Sequence, residues 1–423
     1  MNRRGLLKGL TGLGIGAALV GCSSKGGGGG GEGDAENAEI SFGLWDKIVA
    51  DMVRKNLPAF SKAHPGIRVT VQDTPWDGYW SKLQTQTSSG TAPDVIWMNG
   101  PNFQLYAGNG NLEPLDSMVD DKSLVPTNFP APLLDLYTLD GKLYGVPGVY
   151  NATALWYNTA LFDAVGEEHP NDSWTWETVQ STADRIKKNS KGVYGIAFEL
   201  GSGEVSYYNT IHQAGGFVIS EDKSTSGYDK PETIEGLEYF ASMMRNASAP
   251  SINQLSDQDP DDWFGSGKAA MLYGGATSVA TLAESPQAKN IKLVHLPKKV
   301  NSDCVVHGVG TSISASSKNK AAARVFCSWV ASKEFSELLG GTGSTIPPFA
   351  GSEQSYLAAR PEFDLKVLID AAKTGYPYPC SKNTTAWSSL EPKVLADLWS
   401  GKVDAKSAGT ELAKQMNAQL AKG

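Results

Sequence analysis

Residues 40–98 read ISFGLWDKIVADMVRKNLPAFSKAHPGIRVTVQDTPWDGYWSKLQTQTSSGTAPDVIWM, and the changing periodicity of this stretch decides the fold. Ile40 to Leu44 is a short apolar run of strand character. From Lys47 to Ala63 apolar residues recur at 48, 49, 52, 53, 57 and 60, the spacing of one helix face. Pro58 inside that stripe predicts a kink or two shorter helices, and His64-Pro65-Gly66 ends it. Ile67, Val69 and Val71 alternate with polar residues as a second strand, and Trp80 to Gly90 predicts a helix. Asp94 to Met98 then has the continuous apolar character of a strand buried in a parallel sheet. Strand and helix in strict alternation is the opening of an α/β domain. In such sheets ligands lie beyond the carboxyl ends of the strands, which places Trp45-Asp46, Thr74 to Trp80 and Asn99 to Phe103 at one candidate cleft.

Further along, Asp140-Gly141 separates two apolar runs, a β-hairpin signal, and Pro147-Gly148 after it marks a domain crossing. Some 400 residues remain once an N-terminal leader is set aside, more than one ordinary core holds, so two domains are expected. The full chain carries a net charge of −8, and the leader holds three cations, Arg3, Arg4 and Lys8, so the remainder stands at about −11. Such acidity excludes nucleic acid as a partner and offers no attraction to anionic lipid. The three cysteines after Cys22, namely Cys304, Cys327 and Cys380, show no metal-ligand spacing. Cys327 falls in a helical pattern as a small buried apolar residue, and Cys304 with Cys380 is the candidate disulfide.

The amino terminus places Arg3-Arg4 and Lys8 before an uncharged apolar run, Gly9 to Gly21, too short to span a bilayer. Leu19-Val20-Gly21-Cys22 resembles a bacterial lipobox, and the arginine pair resembles a twin-arginine export signal. Those resemblances imply a signal peptide at 1–21 and lipidation of Cys22. Residues 22–37 then form a linker containing six consecutive glycines, Gly26 to Gly31, whose coil spans roughly 20–24 Å on average. The expectation is an exported chain anchored to the outer face of the cytoplasmic membrane by lipid alone.

A series of segments carries a wider resemblance. It runs through His64-Pro65-Gly66-Ile67-Arg68-Val69, Gly90-Thr91-Ala92-Pro93-Asp94-Val95, Gly110-Asn111-Leu112-Glu113-Pro114-Leu115-Asp116 and Asp140-Gly141-Lys142-Leu143-Tyr144-Gly145-Val146-Pro147. It continues through Leu155-Trp156-Tyr157-Asn158, Trp174-Thr175-Trp176-Glu177 and Phe264-Gly265-Ser266-Gly267-Lys268-Ala269-Ala270-Met271. In this order, over nearly all of the mature chain, they resemble the family 1 extracellular solute-binding proteins, the maltose-binding-protein-like sugar receptors of ABC importers. That resemblance implies an α/β, two-lobed periplasmic-binding-protein fold with discontinuous lobes joined by a hinge: 38–147 plus 300–341, and 148–295 plus 345–423. It also implies a monomer without cofactor or metal, a small carbohydrate ligand and delivery to permease subunits, with no turnover.

Sugars present apolar C–H faces and rings of hydroxyls, which receptors meet with aromatic platforms and charge-assisted hydrogen bonds. With 11 Trp, 15 Tyr and 13 Phe, any single aromatic is more often core than platform, so position has to discriminate. The resemblance carries ligand contact to Trp45 and Asp46, to Asn99, Asn102 and Phe103, to Glu204, Tyr207 and Tyr208, and to Trp387 as a stacking tryptophan. Loop position adds Trp76, Asp77 and Trp80. One departure is plain: where relatives often place a tryptophan after the Ala-Met strand, this chain has Gly274-Gly275-Ala276-Thr277-Ser278, with Tyr273 or His307 as substitutes. A ligand shaped differently from maltose follows. Gly265-Ser266-Gly267-Lys268 lacks the glycine and hydroxyl of a phosphate loop, and Asp257 to Asp262 lacks a calcium loop's glycine and glutamate, so the latter reads as a helix start. A surface glycosidase and a same-fold receptor for a non-sugar solute remain the alternatives. The first would need a carboxylate pair at hydrolytic spacing, the second acids around aromatic boxes for a cation or clustered Tyr and His for iron.

Overall fold

The computed structural model describes residues 37–422; the leader, Cys22 and nearly all of the glycine-rich linker lie outside them. Strands follow in chain order as β1 (Ala38–Leu44), β2 (Ile67–Asp73), β3 (Val95–Asn99), the hairpin pair β4 (Thr138–Leu139) and β5 (Lys142–Leu143), and β6 (Val146–Asn151). They continue as β7 (Thr153–Asn158), β8 (Tyr194–Ala197), β9 (Ala269–Gly275), β10 (Ile291–Val294), β11 (Val305–Ile313) and β12 (Tyr376–Pro377). One sheet has the order β12-β11-β3-β1-β2, with β6 also on β11, and the other β10-β7-β9-β8. Two sheets with helices packed against each give the two lobes.

The opening alternation forms for the reason its periodicity implies. Val49, Met52, Val53 and Phe60 of the helix Lys47–Ala63 are buried, and Phe42 of β1 meets Phe326 of the helix Lys320–Val330 at 5.3 Å. That first helix runs unbroken through Pro58, a correction to the expected split into two shorter helices. Pro58 is exposed, and so is residue 54, whose carbonyl loses its amide partner on the solvent side. The next helix starts at Trp76 rather than Trp80, because Pro75 precedes it and Asp77 suits its first turn. In the second lobe Gly195 of β8 touches the helix Trp176–Asn189: a Cβ there would stand 2.3 Å from the Ala183 backbone, so only glycine lets strand and helix approach.

Lobe boundaries differ from the expected ones. The chain leaves the first sheet at Asn151 rather than at Pro147, since Val146 to Asn151 pair along β11. β12, assigned by sequence to the second lobe, joins the first sheet beside β11. Cys304, Cys327 and Cys380 are free and buried, which corrects the Cys304–Cys380 disulfide. The thiols face different neighbours: Cys304 Sγ lies 3.6 Å from the Ala371 carbonyl, and Cys380 Sγ abuts Gly100. No helix among the described residues is long and apolar enough to cross a membrane.

Candidate functional site: two facing strand-end rims

Topology brings the site together. β1, β2 and β3 are parallel, so Trp45, Trp76 and Asn99 follow them at the same edge. β11 is antiparallel to β3 with Val309 opposite Asn99, which puts His307 on that edge too. In the second sheet β8 and β9 are parallel and β7 starts opposite the end of β9, Thr153 against Gly275. Glu199 and Glu204 after β8, and Ala276 and Thr277 after β9, therefore share a second rim. The rims meet where the chain crosses, at Asn151, which pairs with His307.

The first rim is aromatic. Trp45 contacts Trp76, Tyr79, Trp80 and Trp97 at centroid distances of 5.4, 5.0, 5.7 and 5.0 Å, and Trp76 also meets Trp80 edge-on. The cluster is seated from below: Tyr79 Oη donates to the Trp97 carbonyl at 2.7 Å. Trp76 is 51% exposed, an unusual position for an indole held by three-dimensional packing on its other side. Trp80 and Trp45 are partly buried, and Trp80 Nε1 is buried without a hydrogen-bond partner among the described residues. Asp46 and Asn99 are both engaged as helix caps, accepting from the amides of Val49 (2.9 Å) and Asn102 (3.2 Å). Asn102 Nδ2 also donates to Asn99 Oδ1, and Asp77 is exposed beside Trp76.

The second rim is acidic. Desolvation by the surrounding protein pushes the Glu199 carboxyl up to about 7, with the charges of Glu204, Asp259 and Asp261 adding, while part of the residue stays exposed to solvent. Asp261 is pushed to about 7 by burial first and by Asp259 second, while Ser278 Oγ donates to it at 3.0 Å. At the junction, Ala276 N donates to Asn151 Oδ1 at 2.6 Å, which turns the amide so that Nδ2 points at His307 Nε2, 2.9 Å away. The same Nε2 contacts Glu204 Oε1 across the lobes. A ring nitrogen carries either a proton or a lone pair. As acceptor it serves Asn151 and opposes Glu204; as donor it serves Glu204 and opposes Asn151. The junction is thus one hydrogen bond short.

Five expected contact residues are corrected by this placement. Phe103 is buried against Tyr137, Tyr207 against Tyr208 and Trp399, and Tyr273 donates to Tyr239 Oη inside the second lobe. Trp387 is buried with its indole on Ser381 Oγ at 2.9 Å. Tyr208 donates to both oxygens of Glu391, which also accepts from Tyr228 and is itself buried, its carboxyl raised to about 7 by desolvation. These rings fill cores because each sits on an element face turned inward, and Tyr273 cannot replace the missing tryptophan. Asn151, Glu199 and Glu391 went unremarked in the sequence, and Asp261 was read there only as part of a helix start. For Asn151 the signal available was a polar residue closing the strand that crosses between lobes.

Comparison with known proteins agrees with this architecture. Residues 43–336 match the family model described as bacterial extracellular solute-binding protein.

The chain belongs to that family.

This solute-binding protein is similar to a binding protein of Brucella abortus, 29% identical over 217 residues, 51% of this chain and 52% of that one, so it spans about half the length of that relative. It is also similar to the galactooligosaccharide-binding protein of Bacillus subtilis, 22% identical over 390 residues with 89% of each chain covered. Among solved structures, an ABC substrate-binding protein of Listeria monocytogenes in complex with cycloalternan superposes with a TM-score of 0.82 at 25% identity, covering 91% of this chain and 99% of the other.

Proposed function

We propose that this solute-binding protein captures a mono- or oligosaccharide between its two lobes and delivers it to the permease of an ABC importer. The observation that carries the reading is the pairing of an exposed indole platform, Trp76 on Trp45 and Trp80, with a carboxylate rim that includes Glu204. Indoles suit the apolar face of a sugar ring, and carboxylates suit its hydroxyls. An entering hydroxyl, donor and acceptor at once, supplies the hydrogen bond that the His307–Glu204–Asn151 junction lacks. Because both rims touch ligand only when the lobes are together, binding favours the closed form. Relatives whose names specify galactooligosaccharide and mannitol support the carbohydrate class. The reading includes export, a lipid anchor on Cys22, a monomer and no turnover.

Thermal unfolding of the full chain against mannitol, maltose, maltotriose and galactooligosaccharides tests it. A sugar at a hundred times its dissociation constant stabilises by about 2.7 kcal/mol, a shift of a few degrees. A shift with one glycan class and no loss of glycan is expected. No shift across the panel would overturn the carbohydrate reading, and consumption of a glycan would overturn the receptor.

A further inference from the structure

A second concavity lies away from the rims. It has a volume of about 460 Å³ and is walled by the helices Gly100–Gly108 and Ala131–Leu136 on one side and by the helix Tyr207–Gln213 with residues 216–223 on the other. Small-ligand sites fall at about 300–1,000 Å³, so this space suits a compact molecule. Trp45, Trp76, Glu204 and His307 form no part of its walls.

Two features distinguish it from a leftover gap between packed elements. The first is Gln104, which is only 5% exposed and lines the groove, while its side-chain amide meets no hydrogen-bond partner among the described residues. Gln104 is not among the fully enclosed unpaired polar groups, so its amide opens onto the groove, where water or a bound molecule can meet it. A ligand carrying a neighbouring donor and acceptor would satisfy it. The second is aromatic surface. Phe217, 37% exposed, and the buried Tyr378 both line the groove. Asp135, exposed at the mouth, supplies a carboxylate acceptor. Glu221 and Lys223 add one charge of each sign to the lining, and amide, carboxylates and ring faces around a small volume are the chemistry of a neutral hydroxylated ring.

We propose that this groove is a second ligand site, separate from the strand-end cleft, that takes a neutral hydroxylated ring of one or two sugar units. The proposal goes beyond the cleft reading and does not depend on it. Since the two walls belong to different lobes, an occupant fixes their separation and so couples to any ligand that senses lobe geometry.

Isothermal titration of the full chain with glucose and with maltose tests this, using three forms: wild type, the cleft variant Trp76→Ala/Glu204→Gln, and the groove variant Gln104→Leu. Two sites per chain are expected in the wild type for at least one sugar, with Gln104→Leu weakening one of them about tenfold or more and leaving the other. Phe217→Ala, at an exposed position, gives the same loss without a core change and guards against misfolding of the first variant. Binding abolished by the cleft variant and untouched by both groove variants overturns the proposal. Absence of any glucose or maltose binding in the wild type also overturns it. Binding lost only in the groove variants upholds the groove and instead overturns the cleft as the sugar site.

Discussion

The two rims differ in how their residues are held. On the first-lobe rim the indoles support one another: Trp45 is the hub and Trp76 the exposed tip. On the second-lobe rim the acids Glu199 and Asp261 are pushed up to about 7, by burial first and by neighbours of the same sign, Glu204 and Asp259 among them, second. Aromatic groups cluster because water drives them together, whereas carboxylates crowd only against a Coulomb cost. A wall of acids held against that cost is a wall poised for hydrogen-bond donors, and a tip left in water by an otherwise packed cluster is a surface poised for an apolar face.

The strongest test separates hub from tip. Trp45→Ala should lower stability by about 3 kcal/mol, as removal of a packed indole does, whereas Trp76→Ala should cost under about 1 kcal/mol in stability. In sugar affinity Trp76→Ala should lose about 2 kcal/mol, near 30-fold. Chemical denaturation and titration calorimetry read the two quantities, and equal stability losses would abolish the distinction. Next is the acid buried inside the second lobe. The Glu391 carboxyl is raised from 4.5 to about 7, so its contribution is fully present below pH 4.5 and is lost as the pH rises through 7. Melting at constant ionic strength should show about 3 kcal/mol of stability lost over that window, and Glu391→Gln should flatten it. A slope unchanged in the variant would assign the effect to other acids. Smaller still, Glu204→Gln should weaken sugar binding about tenfold, the worth of one charged hydrogen bond, with little change in melting. A loss of melting temperature without a loss of affinity would make Glu204 a brace between lobes rather than a ligand contact. Least of all, dithiothreitol should leave the unfolding curve unmoved, because Cys304, Cys327 and Cys380 are free thiols. A clear drop would restore a disulfide.

Much of the first rim was legible in the sequence. Trp45 stands where a parallel strand ends, Trp76 where the next helix begins and Trp80 one turn further on, and the period change from two to 3.6 marks that stretch, though not the first residue of the helix. Glu204 and His307 were also expected at the site, but their contact across the lobes follows no local pattern. Phe103, Tyr207, Tyr208, Tyr273 and Trp387 were misassigned because an aromatic in the right segment points to core or cleft according to its rotation on the element. One residue of phase decides that, and segment resemblance does not carry phase. Glu391 was invisible for a related reason: its partners Tyr208 and Tyr228 are 183 and 163 residues away.

What the sequence determined by itself was the alternation of strand and helix and the strand-end positions of Trp45 and Trp76, which rest on local periodicity, while chain length and family resemblance implied the two lobes. What only the tertiary structure decided was the unbroken helix through Pro58, the free cysteines, the buried aromatics, the crossing at Asn151 and the acid rim. Each depends on which faces meet when distant segments pack, and burial, pairing and charge crowding are properties of that meeting rather than of any local stretch.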